Sequence, residues 1–436
     1  MRNQEPENEL IPARNKERRI MLRPAIAVLM LGFPWHPAHA EFKPGYTPNV
    51  PVTVPTRMDW TFTVTSQTVE NPPTSLLEKN YDSTKQLFDL YLPPRKDPKQ
   101  PIPAILFISA DSDAAGWKSF EPICTKRGMA FIAVRGAGNS TPGPKRCRII
   151  LDCLDEVRRH VPLDPDRTYL TGFSGGGRIA CAIGFALPEY FGGIIPLCAG
   201  GDLREEPWLR HRARDRLSVA LVTGQTDFNR GEIEQWKGPL WSDLGLRTKV
   251  WIEPNLGHGI PNATTLSNAI VWLEEDRPRR VALAKRHPAS RANPTQTTSS
   301  KELAAALWDE GKNRLSDAKT TYSGLMLIKG VSDRWPDLAT GKSARKLLED
   351  YDAKSDRPWE LDDIAEQRKT LIASAKSLSN YALKGVPANS PYVKIRPDMA
   401  KKAINLWVQV IEDGPDSVAA KEGRKLLADL EPLTKK

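Results

Sequence analysis

The 436-residue sequence is poor in cysteine and histidine, with five of the first and six of the second. No two cysteines have the Cys-x-x-Cys spacing that is typical of metal sites and dithiol redox motifs, and the odd number leaves at least one thiol unpaired within the chain. Cys181 and Cys198 lie in apolar segments, so we expect them to be core thiols rather than ligands or nucleophiles. The sequence implies no metal and no organic cofactor.

Long apolar runs and clustered basic motifs are also missing. The apolar run AIAVLMLGF, 25–33, is too short to span a bilayer, and no other segment is apolar enough to do so. The formal net charge is +10, but the basic residues are dispersed and no aromatic-basic recognition motif occurs. We therefore expect no membrane span in the mature chain and no specific nucleic-acid partner.

The first 40 residues have the pattern of an export signal. Basic residues in RNKERRIMLR, 14–23, precede the apolar run, and AHA, 38–40, offers small residues at the spacing of a cleavage site. Met21 would be a tidier start, so translation from there stays an alternative. We expect residues 1–40 to be a signal peptide, and the mature protein to begin near Glu41 and to reach the periplasm or the cell exterior.

Apolar strands alternate with helical patterns over residues 41–275. The segments MDWTFTVT, 58–65, and LFDLYLP, 87–93, predict a leading pair of strands, and AILFIS and MAFIAV predict buried ones. The alternation that follows predicts a mostly parallel sheet with helices on both faces. The ligand site of such a sheet lies beyond the carboxyl ends of its strands.

The character of the chain changes after residue 275. Residues 276–300 are basic and then rich in Ser, Thr and Pro, which is the composition of a linker. Residues 301–436 have a helical pattern, and 335–350 matches 414–429 at eight of sixteen positions. This weak repeat is similar to tetratricopeptide-type hairpins, which usually pack together or bind a partner. We expect a small all-α, helical-repeat-like C-terminal domain, with a protein partner as its candidate ligand.

One serine stands among glycines in TGFSGGG, between a predicted strand and a predicted helix. Gly-x-Ser-x-Gly in this context is the pattern of a nucleophile elbow, in which glycines permit a turn too tight for side chains. Ser174 is then the candidate nucleophile, and the amide of Gly175 a candidate donor to an oxyanion. The alternative is a flexible glycine turn without chemistry.

A serine hydroxyl needs a base, and elimination among the histidines leaves one. His258 follows a predicted strand in NLGHGIPN, whereas the other five fall in the leader, the linker, a helix end or an Arg-rich connector. Asp227, in VTGQTDFNR after another strand, is the candidate carboxylate that orients it. Asp243 and Glu253 are its rivals, but they fall within a predicted helix and a predicted strand. The candidates follow one another as Ser174, Asp227 and His258.

Residues from about Trp60 to Glu275 resemble an α/β-hydrolase, most closely the exported esterases grouped with polyhydroxybutyrate depolymerases and feruloyl esterases. The resemblance is carried by LFDLYLP, AILFISADSDAAGW, LDPDRTYLTGFSGGG, VTGQTDFNR and LGHGIPN. It implies an α/β-hydrolase fold over residues 41–275 and a carboxylic ester hydrolase with a Ser-His-Asp triad and an acyl-enzyme intermediate. The implied substrates are esters, with carbohydrate- or polymer-linked esters among the candidates.

One departure concerns the oxyanion hole. Enzymes of this group usually carry His-Gly after the strand that corresponds to AILFIS, whereas Ser109 and Ala110 stand here, followed by Asp111. A backbone amide of Ala110 or Asp111 can still donate, because the amide and not the side chain acts on the oxyanion. An ionised Asp111 close to the oxyanion would oppose it.

Two other interpretations stay open. One is a serine peptidase on the same triad, and the other is a catalytically weakened hydrolase that binds partners through its C-terminal helices. The connection over residues 202–217 is short, which argues against a hydrophobic lid and long-chain lipid substrates. Trp117, Trp208 and Trp236 are candidates for the rim of an open site.

Overall fold

The computed structural model describes residues 42–384 and 387–435, so the predicted signal peptide lies outside the described residues. The strands are β1 (Gly45–Pro51), β2 (Leu87–Leu92), β3 (Ile102–Ile108), β4 (Ala130–Val134), β5 (Leu163–Phe173), β6 (Gly193–Leu197), β7 (Ser218–Gly224) and β8 (Arg247–Glu253). They form one sheet in the order β1-β2-β4-β3-β5-β6-β7-β8. β2 is antiparallel to both of its neighbours, and β3 to β8 are parallel to one another.

The α-helices of the described residues follow the strands and then continue alone to the end of the chain. They are α1 (Trp117–Arg127), α2 (Gly143–His160), α3 (Gly175–Ala186), α4 (Pro207–Arg216), α5 (Gly238–Asp243), α6 (Ala263–Glu275), α7 (Arg277–Arg286), α8 (Ser300–Arg314), α9 (Thr321–Arg334), α10 (Ala339–Asp352), α11 (Trp359–Lys384), α12 (Arg396–Asp413) and α13 (Val418–Leu430). In the described ranges, every helix is too short or too polar to cross a bilayer.

Helices cover both faces of the sheet. Phe120 of α1 and Ile270 of α6 belong to one buried apolar cluster, and Leu154 of α2 and Ile183 of α3 belong to the other. β3, β4, β6 and β7 are buried along their whole length, which is why they appear in the sequence as nearly continuous apolar runs. This strand order and helix placement are those of the α/β-hydrolase fold, and the predicted fold class is confirmed.

The leading strand pair differs from the prediction. Residues 58–65, expected to be a strand, contain a buried 3₁₀ turn over Trp60–Thr63, and the partner of β2 is β1. The Thr63 hydroxyl closes this turn by donating to the carbonyl oxygen of Trp60 at 2.6 Å. The ring of Phe62 is fully buried and stacks on Trp208. The alternating β-forming residues favour a strand, but the burial of Phe62 and the hydroxyl bond of Thr63 stabilise the 3₁₀ turn instead.

Residues 276–300, expected to be a linker, are packed against the sheet instead. Arg280 of α7 is fully buried and donates to the carbonyl oxygens of Asp166 and Leu273. Arg291 binds the Asp166 carboxylate at 2.8 Å. The basic residues that suggest a solvated linker in the sequence are thus hydrogen-bond donors to carbonyl and carboxylate oxygens at and near β5.

The described part of residues 301–436 is helical, as predicted, and contains α8–α13. The two similar segments, 335–350 and 414–429, form α10 and α13 together with the turns that precede them. Their leucine pairs, Leu347–Leu348 and Leu426–Leu427, both pack into apolar clusters of the C-terminal helices. The described residues from Phe42 onward form a single compact unit.

A buried charge network joins these helices to the turns and the helix that flank the sheet. Arg334, at the end of α9, is 1% exposed and donates to Asp59 at 2.9 Å and to Glu189 at 3.2 Å. Glu189 also accepts from Arg212 of α4 at 3.1 Å. Burial alone would raise the pKa of Glu189, but the charges of Arg334 and Arg212 outweigh it and hold the pKa below its usual value.

The three candidate rim tryptophans are packing residues to different degrees. Trp208 is 2% exposed and lies in the interface with α9, where a Cβ on Gly330 would come within 2.7 Å of the indole. Trp117 and Trp236 are half-buried, the first against Tyr91 and the second against Tyr381. Trp208 therefore belongs to the buried core, and its assignment to the rim of the active site is wrong.

Candidate active site

The nucleophile elbow links β5 to α3. Ser174 has φ 53° and ψ −120°, a strained backbone conformation for a residue with a side chain, and it is the N-cap of α3. Its glycine neighbours are required by close packing, because a Cβ on Gly176 would lie 2.1 Å from the carbonyl oxygen of Ile108. A Cβ on Gly172 would lie 2.4 Å from the backbone of Gly176. The turn thus presents Ser174 at the carboxyl edge of the sheet.

Ser174, His258 and Asp227 form a continuous hydrogen-bonded chain. His258 Nε2 lies 3.0 Å from Ser174 Oγ, and His258 Nδ1 lies 2.8 Å from Asp227 Oδ1. Because an ionised carboxylate only accepts, Nδ1 carries the proton and Nε2 is left to accept from the serine hydroxyl. The loops after β5, β7 and β8 therefore bring together the three residues that the sequence analysis selects.

Asp227 is fixed by its surroundings. It is fully buried, and it accepts from the Thr223 hydroxyl at 2.6 Å and from the backbone amide of Asn229 at 3.0 Å. With His258, three donors satisfy the carboxylate and set its orientation toward the imidazole. The local sequence explains this, because Asp227 reaches one donor at the end of β7 and another in the loop that follows it.

The rival groups lie elsewhere. Glu253, at the end of β8, accepts from the side-chain amide of Asn262 at 2.6 Å and so closes the loop that carries His258. Asp243 is exposed at the end of α5, next to α11. His211 is packed near the C-terminal helices, where burial and the neighbouring Arg214 lower its pKa to about 4. The structure thus places these groups outside the hydrogen-bonded chain.

Two aromatic rings flank His258, and the sequence analysis missed both. Phe228 stacks on the imidazole with ring centroids 4.1 Å apart, and Phe173 lies tilted against it at 4.9 Å. The sequence offers one signal for them, since Phe228 directly follows Asp227 and Phe173 directly precedes Ser174. The rings restrict the imidazole to one plane, in which both of its nitrogens stay bonded.

Cys198 is buried, as expected, but it also borders the site. Its thiol donates to the carbonyl oxygen of Gly259 at 3.3 Å, and its own carbonyl oxygen accepts from the side chain of Asn229 at 2.9 Å. It therefore ties the Asp227 loop to the His258 loop. All five cysteines are free and buried, and burial raises the pKa of the Cys198 thiol to about 12.

The Cys198 sulfur, a carboxylate oxygen of Asp227 and a ring nitrogen of His258 all lie within 4.8 Å of one another, a spacing that a metal ion could use. The carboxylate and the imidazole are already bonded to each other, and the imidazole is bonded to Ser174 as well. The thiol is neutral, whereas a metal ligand would be a thiolate. The arrangement therefore fits proton transfer better than metal binding.

The predicted oxyanion donors differ in whether their backbone amides already have a hydrogen-bond acceptor. Gly175 is the first residue of α3, so its N–H has no carbonyl partner within the helix. The Asp111 amide donates to Ser109 Oγ at 3.0 Å, which leaves the Ala110 amide as the better second donor. The side chain of Asp111 is exposed, so water and salt screen its charge.

Asn139 lies over the first turn of α3, and the sequence analysis missed it. A Cβ on Gly175 would lie 1.9 Å from Asn139 Oδ1 and 3.1 Å from Nδ2. Oδ1 accepts from Arg146 Nη1 at 3.1 Å, which identifies the oxygen and leaves the NH₂ group as a donor beside the elbow. The backbone amide of Asn139 donates to the carbonyl oxygen of Ala110 at 2.7 Å and ties the two loops together.

Arg146 supports this loop from the interior. It is 5% exposed and also donates to the carbonyl oxygens of Ser109 and Ala137. Burial lowers its pKa, but a guanidinium stays charged in a protein. Within the described ranges it has no carboxylate within 4.0 Å, so its positive charge adds to the potential near the elbow.

Among the solved structures that the chain resembles are esterases and serine hydrolases. An S-formylglutathione hydrolase of Staphylococcus aureus is 17% identical, with a TM-score of 0.35, over 44% of this chain and 93% of its own. A fluorophosphonate-binding serine hydrolase of the same organism is 16% identical, with a TM-score of 0.36, over the same shares. Esterase 2 of Thermogutta terrifontis is 17% identical, with a TM-score of 0.30, over 47% and 90%.

No family model and no curated protein sequence matches the chain. Identities and TM-scores as low as those of the solved structures leave the function to be inferred from the residues of the chain itself.

Proposed function

We propose that this chain is an exported serine hydrolase that cleaves carboxylic esters through Ser174, His258 and Asp227. The observation that carries the proposal is the hydrogen-bonded chain from Asp227 Oδ1 through His258 to Ser174 Oγ, with separations of 2.8 and 3.0 Å. A serine on a strained elbow, bonded to an oriented imidazole, is an activated nucleophile.

In acylation, Ser174 Oγ attacks the ester carbonyl carbon while His258 Nε2 takes the hydroxyl proton. Asp227 keeps the other ring nitrogen protonated and stabilises the imidazolium. The oxyanion accepts hydrogen bonds from the amides of Gly175 and Ala110, at the positive end of α3. His258 then gives its proton to the departing alcohol oxygen, and the acyl group stays on Ser174.

In deacylation, a water molecule takes the place of the alcohol. His258 Nε2 removes one water proton as the water oxygen attacks the acyl carbonyl carbon. The second tetrahedral species collapses, the Ser174–acyl bond breaks, and the proton on His258 returns to Ser174 Oγ. The products are a carboxylic acid and the regenerated enzyme.

Asn139 is included in this proposal as a third oxyanion donor. Arg146 holds its oxygen, which is the atom nearest to Gly175, and its NH₂ group, slightly farther from Gly175, is the group that would donate to the oxyanion. It compensates for the missing His-Gly segment and for the Asp111 amide, which donates to Ser109 instead.

The surroundings of the site favour short or protruding esters over long-chain lipids. The chain between β6 and β7 contains one helix, α4, and its Trp208 and Leu209 are buried in the core rather than laid over the site. Ser174 and His258 are both half-buried, so solvent reaches them. An ester on a carbohydrate or a polymer could approach this edge.

Export is proposed from the sequence pattern of residues 1–40 alone. Expression of the full chain in a bacterial host should yield a cell-envelope or secreted form whose N-terminal residue, read by mass spectrometry, is Glu41. An uncleaved chain that stays in the cytosol would contradict this part of the proposal and leave the chemistry untouched.

Hydrolysis of short-acyl nitrophenyl esters tests the chemistry. We expect the wild type to turn over and to be labelled by a fluorophosphonate, whereas Ser174→Ala loses about 10⁴-fold or more of kcat and all labelling. Ser242→Ala, at an exposed serine of α5, is the matched control and should behave as the wild type.

Two results would overturn the proposal. A folded wild type that neither labels nor turns over would favour a binding protein. Turnover of peptides without turnover of esters would assign the same triad to a peptidase.

A further inference from the structure

The ring of Phe228 lies over one face of the His258 imidazole. The two ring centroids are 4.1 Å apart and the planes are inclined by 28°, so the rings are stacked. Phe173 also contacts the imidazole, but its ring is tilted by 46° with a centroid separation of 4.9 Å. Of the two rings, that of Phe228 therefore presents more of its face to the imidazole.

One turn positions both Phe228 and the carboxylate of the triad. The backbone amides of Asn229 and Arg230 donate to Asp227 Oδ1 and to the Asp227 carbonyl oxygen, each at 3.0 Å. The side chain of Asn229 donates to the carbonyl oxygen of Cys198 at 2.9 Å and anchors the turn at the end of β6. Asp227 thus reaches the edge of the imidazole at 2.8 Å, while Phe228 covers its face.

The face of an aromatic ring attracts positive charge, and a cation within about 6 Å of the ring centroid is stabilised by it. A neutral imidazole gains packing from a stacked ring but not this electrostatic attraction. In the proposed acylation, His258 is neutral before it takes the serine proton and positively charged in the transition state. An interaction that strengthens at this step raises the rate.

The other groups around the imidazole leave this role to the ring. In the described ranges, Asp227 is the one carboxylate within 4.0 Å of His258. The Cys198 sulfur lies within 4.8 Å of the site atoms, but its thiol is neutral. Glu253 and Arg230, the nearest charged residues along the two loops, have partners of their own. The imidazolium therefore meets one carboxylate at its edge and one stacked ring at its face.

We propose that Phe228 is a positioning residue of the hydrolysis, and that its ring face stabilises the imidazolium form of His258 in the transition state. The inference rests on the proposed function of the triad. It gives the ring a role beyond packing, in which Asp227 selects the tautomer of the imidazole and Phe228 favours its charged state.

This role predicts a loss of rate that depends on pH. At low pH, where His258 of the free enzyme is already protonated, the free enzyme and the transition state both carry the imidazolium, and removal of the ring weakens both equally. At high pH the transition state alone carries the charge, so the loss appears in the rate. For Phe228→Leu we expect kcat/KM to fall by about 3-fold at high pH and to approach the wild-type value at low pH.

Fluorinated phenylalanine at position 228 separates the charge distribution of the ring from its size. Mono-, di- and trifluorination weaken the negative potential of the ring face stepwise, and the half-buried position accommodates the added atoms. We expect kcat/KM at high pH to fall stepwise, by about 3-fold for the trifluorinated ring. The midpoint of the His258 titration, followed by NMR and assigned by its loss in His258→Gln, should move to lower pH by about 0.5 unit.

Trifluorination of Phe42 is the matched control. Phe42 is also half-buried, but it lies against His160 at the end of α2. It should leave both kcat/KM and the His258 titration unchanged.

Two results would overturn the proposal. A His258 midpoint that stays constant across the fluorinated series would leave Phe228 as a packing residue. A loss of kcat/KM that is equal at all pH values would mean that the ring only holds the imidazole in place. The NMR titration needs no turnover, so it tests the ring even if the protein hydrolyses no ester. Ester turnover with a constant midpoint would contradict this role alone and leave the proposed function standing.

Discussion

The edge of the sheet that carries Ser174 and the interface that carries Arg334 are both rich in polar contacts, but they hold their charged groups differently. At the edge, His258 is bonded through both ring nitrogens and its side chain is still 19% exposed. At the interface, Arg334 is 1% exposed and shared between Asp59 and Glu189. The first arrangement leaves a reactive group within reach of solvent, and the second encloses its charges.

Backbone strain separates the two regions as well. Ser174 and Cys198 have φ values of 53° and 52°, and both stand at the carboxyl ends of strands, at the edge. Arg334 ends a regular helix. Strained positions persist where the surrounding packing over-determines them, which is a common condition of active sites. We therefore expect substitutions at the edge to change rates with little loss of stability, and substitutions at the interface to do the reverse.

The largest effect should come from Asp227→Asn. The substituted side chain keeps its size, but it can present an N–H to His258 and stabilise the wrong tautomer, so kcat should fall by about 10⁴-fold. Tm should change by only a few degrees. Ester turnover and thermal unfolding of the same preparation measure both quantities.

Asp243→Asn is the matched control, because it removes an exposed carboxylate that was a rival in the sequence. It should keep the wild-type kcat. Equal losses in the two variants would mean that Asp227 has no special relation to His258.

The next effect should come from Arg334→Leu, and it should appear in stability. The change leaves Asp59 without its buried cation and Glu189 with Arg212 alone, which should cost about 3–5 kcal/mol of unfolding free energy. Urea denaturation measures this loss, and kcat per folded molecule should stay near that of the wild type.

Arg368→Leu provides the comparison for a surface ion pair. Arg368 binds Asp413 at 2.6 Å with both side chains exposed, so its loss should lower the unfolding free energy far less than the loss of the buried Arg334 does. If Arg334→Leu were no more destabilising than this control, the interface would not depend on its buried charges. If it lowered kcat in the folded fraction, the two regions would be coupled.

The sequence predicts the edge better than the interface because the edge is built from short local patterns. A strand, a glycine turn and a helix define Ser174, and the ends of two further strands carry Asp227 and His258. Parallel strands end at one edge of a sheet, so residues far apart in the chain can be placed together without a structure. The fold class follows from the same alternation.

The remaining features depend on packing between distant segments. Asn139 lies over Gly175 because Arg146 fixes its loop, and no local pattern marks that contact. Arg280 and Arg334 belong to basic segments that suggest solvated surface, yet both are buried with partners. A charge is predicted to be exposed unless its counter-group is known, and the counter-groups of Arg334, Asp59 and Glu189, lie more than 100 positions away in the sequence.

The smallest effect that we expect concerns Asn139, and it tests how far the edge extends beyond the three residues found from the sequence. Asn139→Ala removes one donor beside Gly175, so kcat should fall by about 10²-fold, with KM and Tm nearly unchanged because the side chain is exposed. Ser140→Ala, at the next exposed position of the same loop, should have no effect. An unchanged kcat in Asn139→Ala would leave the oxyanion with the two backbone amides of Gly175 and Ala110. A loss shared by Ser140→Ala would instead point to movement of the whole loop.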